Sequence, residues 1–164
     1  MIIQEGNKVL RQIAQEVPLE DIQSGEIKNL IKKMTVSLFE QENGAALAAP
    51  QIEVSKRIFI VKRYLIDNTK GTEEENVNKK EIVVFINPQI TKISRKKKEM
   101  DEGCLSVEGT YGKVHRSEKL TVEAYDKTGK KFTRGCSGLL AQIVQHEVDH
   151  LDGVLFIDKA SRLE

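Results

Sequence analysis

Apolar positions in residues 26–42 recur at spacings of three and four: Ile27, Leu30, Ile31, Met34 and Leu38. Lys28, Lys32, Lys33 and Glu40 fall mostly on the other side, which predicts an amphipathic helix stopped at Asn43-Gly44. Two short apolar runs rich in β-branched residues, Arg57–Lys62 and Ile82–Ile86, predict buried strands, the second closed by Asn87-Pro88. Between them, Asp67 to Glu81 is polar, carries Glu73-Glu74-Glu75, and predicts an exposed hairpin loop. Arg95-Lys96-Lys97-Lys98 predicts a solvated edge or turn within residues 89–100. Leu120–Tyr125 alternates and is followed, after Asp126–Gly129, by Lys130–Arg134, the pattern of a hairpin. Residues 137–151 predict a second helix, with Ser137 as its N-cap, an apolar surface on several sides (Leu139, Leu140, Ile143, Val144, Leu151) and Gly153 just past its end. The fold class is α+β, with short antiparallel strands packed around a central helix, and residues 1–164 form a single domain.

Composition narrows the function. Apolar residues make up 39% of the 164, enough for a globular core. The formal net charge is +1, which argues against a general nucleic-acid binder and leaves no reason to expect DNA as a partner. No apolar run approaches the roughly 20 residues of a membrane span. The start, Met1-Ile2-Ile3-Gln4-Glu5-Gly6, resembles neither a secretory signal nor an Arg-rich transit peptide. Cys104 and Cys136 form no close-spaced pair and read as reduced thiols of a cytoplasmic chain, Cys136 as an inert buried one.

The chemistry concentrates in His146-Glu147-Val148-Asp149-His150. On a helix, positions i and i+4 share a face, so two imidazoles there can hold one metal ion, and the glutamate beside the first can serve as acid/base toward a water on it. A buried helix strengthens this reading, because buried His and Glu need partners. A catalytic site wants a third protein ligand. His115, Cys104, and the downstream Asp152, Asp158 and Glu164 are all candidates by residue type.

Three motifs then carry a family resemblance: Gly44-Ala45-Ala46-Leu47-Ala48-Ala49-Pro50-Gln51, Glu102-Gly103-Cys104-Leu105-Ser106, and Gln145-His146-Glu147-Val148-Asp149-His150. Val9-Leu10-Arg11, Ile86-Asn87-Pro88 and Gly153-Val154-Leu155-Phe156 extend it over nearly the whole chain. The chain resembles the peptide deformylases, which remove the formyl group from the N-terminal formyl-methionine of new polypeptides. The resemblance implies a peptide-deformylase-like fold, with Cys104, His146 and His150 as ligands of one divalent metal. Iron(II) is implied in the cell, and zinc, nickel or cobalt in purified samples. It further implies Glu147 as acid/base, and the Gln51 amide and Leu105 backbone N–H as donors to the oxyanion. Gly44, Ala45, Ala46, Gly103, Leu139 and Ile143 would line the substrate site, and Arg116 would brace Glu102. A related amidase acting on another N-acyl peptide, or an inactive homologue that binds formylated peptides, would share these motifs. Glu147 speaks against the inactive form.

The sequence departs from the family pattern in three places. Ala46 stands where a second glycine is usual, adding a methyl group at a substrate-facing position, so Ala46→Gly would be expected to improve turnover. Glu108-Gly109 replaces a Pro-Gly pair and would put a negative charge near the entrance. The sequence stops at Glu164, so the long C-terminal helix that carries many members to the ribosome is not expected, and any ribosome contact would be transient.

Overall fold

The structure, a computed structural model, describes residues 1–67 and 81–164. The loop expected between Asp67 and Glu81 therefore lies, but for its two ends, outside the described residues. The first long helix, α1 (Gly25–Phe39), is capped by the Ser24 hydroxyl, which accepts the Ile27 N–H at 3.2 Å. It ends three residues before the predicted stop, because a turn starts at Gln41 and the Gly44 N–H donates to the Gln41 carbonyl at 3.2 Å. β1 (Ala46–Ala48), β2 (Ile58–Lys62), a one-turn helix α2 (Tyr64–Asp67) and β3 (Ile82–Ile93) follow. β4 (Lys97–Cys104) and β5 (Val107–Ser117) form one hairpin, β6 (Lys119–Tyr125) and β7 (Lys131–Ser137) the predicted next one. The helix α3 (Gly138–Leu151) and a two-residue strand β8 (Arg162–Leu163) complete the order.

One antiparallel sheet runs β1-β2-β3-β6-β7, and a second runs β4-β5-β8. β2 shows why its run is apolar throughout rather than alternating. Ile58 and Ile60 pack toward Leu30, Met34 and Leu38 of α1, while Phe59 and Val61 pack toward Ala141, Ile143 and Val144 of α3. Both faces of this sheet are covered, so period-two polarity would cost burial energy on one of them. Phe59 stacks on Phe85 with ring centroids 4.5 Å apart. The α+β class is as predicted, and α3 lies at its centre. No helix among the described residues is long and apolar enough to cross a membrane.

Two local expectations need correction. Asn87-Pro88 does not close β3, because the strand continues to Ile93 through a register shift between Ile86 and Gln89. Asn87 makes this continuation work from the left-handed region, at φ 50. Its side chain accepts the Val17 N–H and donates to the Val17 carbonyl, both at 2.8 Å, while its own N–H donates to the Arg57 carbonyl at 2.8 Å. Ser137 occupies the N-cap position of α3, but its side chain makes no capping bond. The Gly138 N–H donates instead to the Glu118 carbonyl at 3.2 Å, because β7 runs straight into the helix. The basic run is the solvated edge and turn expected: Arg95 and Lys96 lie in the turn, Lys97 and Lys98 begin the edge strand β4, and all four side chains are exposed. Gly153 does follow the end of α3, at φ 74, where a glycine relieves backbone strain.

Replacing Asn87 by alanine removes both bonds to Val17 and leaves a β-carbon residue in the left-handed region. A loss of about 2–4 kcal/mol of unfolding free energy is expected, read from urea denaturation midpoints. A change below about 0.5 kcal/mol would show that the bulge tolerates any residue.

Candidate metal centre

The motif on α3 places His146 and His150 one turn apart on one face, with ring centroids 4.9 Å apart. The β4–β5 turn brings Cys104 to them: its Sγ lies 3.2 Å from His150 Nε2. The ligating atoms of Cys104, His146 and His150 all fall within 4.8 Å of one another. Donors held by one tetrahedral ion at thiolate and imidazole bond lengths would stand about 3.5 Å apart, so the group fits such an ion. His146 Nδ1 is engaged by Glu102 Oε2 at 3.0 Å, which turns its Nε2 toward the other two donors. His115, Asp152, Asp158 and Glu164 lie outside the cluster. His115 is exposed and faces Glu99, and the three acids pair with Arg57, Arg11 and Arg162.

Behind the ligands runs a buried chain of charge. Arg116 donates through Nε and Nη2 to both Glu102 oxygens at 2.6 and 2.8 Å, and through Nη1 to Asp149 at 2.6 Å. Lys159 reaches the other oxygen of Asp149 at 2.7 Å. Burial alone would raise the Glu102 carboxyl, but the bonds from Arg116 and His146 hold it down at about 2. Burial pulls the His146 imidazole down, yet its bonds to Cys104 and Glu102 and the nearby Glu147 carboxylate outweigh this and push it up to about 10. A metal ion held through His146 would have to displace that proton, so its uptake would be coupled to proton release. His150 is lowered, first by burial and then by the His146 and Arg116 charges, which keeps it neutral as a ligand must be.

Glu147 is buried and lines the adjoining cavity of about 310 Å³. Its Oε2 has no hydrogen-bond partner among the described residues. Burial raises its pKa to about 7, opposed chiefly by the His146 charge, so near neutrality it can both take and give a proton. Gln51 is 2% exposed and held at both ends. Its Oε1 accepts the Ala48 N–H at 2.9 Å, which turns Nε2 toward Ser106 Oγ at 3.1 Å and Cys104 Sγ at 3.6 Å. Leu105 sits between Cys104 and Ser106 on the cavity wall.

Of the substrate-side residues, Gly44, Ala45, Ala46, Gly103, Leu139 and Ile143 all line this cavity. Ala46 faces the cavity and is core at the same time. It is 7% exposed and belongs to the apolar cluster with Ala48, Phe59 and Val61. Ala46→Gly would thus loosen a buried strand, at a cost of about 1 kcal/mol, as well as remove a methyl group from the cavity wall. Leu139 is not core: it is 54% exposed in the first turn of α3, at the cavity rim. Glu108 is exposed and is not among the lining residues, although Val107 and Gly109 are. Cys136 is buried, and burial raises its thiol.

Gln145 and Asp149 tie α3 to β5. The Gln145 amide clasps the Ser117 N–H and carbonyl, both at 3.0 Å, pinning α3 to the end of β5. Asp149 lies three residues from His146, close enough in helical phase to have marked it as a partner for the same polar layer.

Comparison with known proteins agrees with this geometry. The family model described as polypeptide deformylase matches residues 1–164. The peptide deformylase of Fusobacterium nucleatum is 40% identical over 156 residues, covering 95% of this chain and 80% of that protein. That of Carboxydothermus hydrogenoformans is 37% identical over 162 residues, covering 99% and 93%. Among solved structures, the Met-Ala-Ser-bound class I type b peptide deformylase of Acinetobacter baumannii superposes with a TM-score of 0.83 at 33% identity, covering 97% and 96%. A probable peptide deformylase from Synechococcus phage S-SSM7 gives a TM-score of 0.81 at 35% identity, covering 97% and 98%.

Glu102→Gln keeps the shape but removes the charge that faces His146. Zinc or cobalt affinity, read by competition with a chromophoric chelator, is expected to fall about 10- to 100-fold. Unaltered affinity would mean that His146 needs no carboxylate behind it.

Proposed function

The chain belongs to the polypeptide deformylase family, and from that premise we propose how its residues divide the work of removing the formyl group from newly made polypeptides. Cys104, His146 and His150 hold the divalent ion this family depends on. When bound, the ion supplies Lewis acidity toward a water and toward the formyl oxygen. One thiolate and two imidazoles accept iron(II), zinc, cobalt or nickel, and the family resemblance favours iron(II) in the cell.

Glu147 is the acid/base. Its carboxylate takes a proton from the attacking water and passes it to the amine nitrogen as the formyl C–N bond breaks, leaving formate and a free α-amino group. The observation that carries this reading is the buried, unpartnered Glu147 Oε2 beside the three clustered donors. Gln51 Nε2 and the Leu105 N–H donate to the oxygen that gains charge in the tetrahedral state. The fixed Oε1 of Gln51 supports its part, since the amide is oriented before substrate arrives. Ala45, Ala46 and Ile143 form the inner apolar wall for the methionine side chain, with Leu139 at its rim. The extended peptide lies along Gly44–Ala46 and Glu102–Cys104, where the outer edges of β1 and β4 leave backbone groups free for an added strand. The cytoplasm is the compartment we propose, consistent with free Cys104 and Cys136 thiols.

Glu147→Gln is expected to keep metal at full stoichiometry while formate release from formyl-Met-Ala-Ser falls at least about 100-fold under oxygen-free conditions. Full activity in that variant would remove Glu147 from the mechanism. Absence of formate release from the metal-loaded wild type would overturn the whole reading.

A further inference from the structure

The cavity has an apolar rim that the hydrolysis itself does not use. Tyr111 on β5 is 63% exposed and lines the cavity mouth together with Leu139 of α3. Single exposed apolar side chains are ordinary, but this one is held in place. Tyr111 stands opposite Gly103 in the β4–β5 register. A β-carbon added at Gly103 would meet Tyr111 Cε1 at 2.8 Å and Cδ1 at 2.9 Å. The ring therefore lies across the glycine, in the space a side chain at 103 would fill, one residue from Cys104. Its own backbone is fixed on the far side. The Tyr111 N–H donates to the Glu164 carbonyl at 3.1 Å, and its carbonyl accepts the Glu164 N–H at 2.7 Å. One part of the ring rests on β4 backbone while most of it remains open, so little ordering is lost when a ligand covers it.

Successive side chains of an extended peptide point to opposite sides. If the methionine side chain enters toward Ile143, the next residue points outward, to the rim. We propose that Tyr111 is a specificity-determining residue that receives the side chain immediately after the formyl-methionine and favours aromatic residues there. This rests on the deformylase reading of the cavity. Stacking against one open ring is worth a preference of about two- to twelve-fold.

The test compares kcat/KM for formyl-Met-Phe-Ser and formyl-Met-Ala-Ser. The wild type should favour the phenylalanine peptide by that factor, mainly through KM. Tyr111→Ala should lose more on the phenylalanine peptide than on the alanine peptide, bringing their ratio to about one, while Tyr111→Phe keeps the preference. Equal losses on both peptides, or no preference in the wild type, would overturn the proposal. Calorimetric binding of the deformylated products Met-Phe-Ser and Met-Ala-Ser to the metal-loaded protein separates the two readings. If formate release fails but Met-Phe-Ser still binds more tightly in a Tyr111-dependent way, the shelf stands and the deformylase reading falls. Equal binding overturns the shelf on its own.

Discussion

The pair formed by Glu102 and Arg116 is the contact on which the rest of the site depends. Each side chain is 3% exposed, and burying either charge alone would cost several kcal/mol. The cost is offset because every member has a partner on each side. Arg116 divides its donors between Glu102 and Asp149, Glu102 divides its acceptors between Arg116 and His146, and Asp149 is shared with Lys159. These groups come from β4, β5, α3 and the segment after α3. Satisfying them fixes the second sheet against the helix at the level of Cys104, His146 and His150, so electrostatics here sets geometry more than it adds net stability.

That constraint lets α3 serve two purposes. One side of the helix is ordinary core: Ala141, Val144 and Leu151 pack in the cluster with Phe59 and Phe85. Another side is polar and buried: Gln142 donates to the Asp101 carbonyl at 2.8 Å, Gln145 clasps Ser117, and Asp149 holds Arg116. Between these lie His146 and His150. Two packed sides leave the helix little freedom to rotate, and the imidazoles inherit its rigidity. The Cys104 sulfur, from a different element, meets them at 3.2 Å from His150 Nε2.

How much of this the sequence discloses depends on the range of the contact. His146, Glu147 and His150 are legible because helical phase is local, and α1 and β2 are legible because burial imposes a period or an unbroken apolar run. Cys104 is not. It stands 46 residues from His150, no periodicity connects them, and only its surrounding motif marks it. The same limit hides Asp149 as a partner of Arg116, 33 residues away, and Tyr111, whose meaning depends on the β4–β5 register. Asn87 misled for a different reason. Asn-Pro usually ends a strand, but here the asparagine side chain is held from both sides by Val17, 70 residues away, and the strand continues past the bend. Local rules hold where local energies decide, and fail where a distant partner supplies the missing hydrogen bond.

The two ends of the cavity obey different constraints. Ala46 and Ile143 are cavity wall and hydrophobic core at once, so their shape is fixed by packing against Phe59, Val61 and Val144. A methyl group added or removed there is felt first as stability, and only afterwards as substrate fit. Ala46, which in sequence looks only like an addition to the peptide site, is in structure a core position as well. Leu139 and Tyr111 carry no such obligation. Nothing in the core needs them, and they are exposed in the protein as it stands. The rim is the part of the cavity whose side chains can change without disturbing the charges and packing that hold Cys104, His146 and His150.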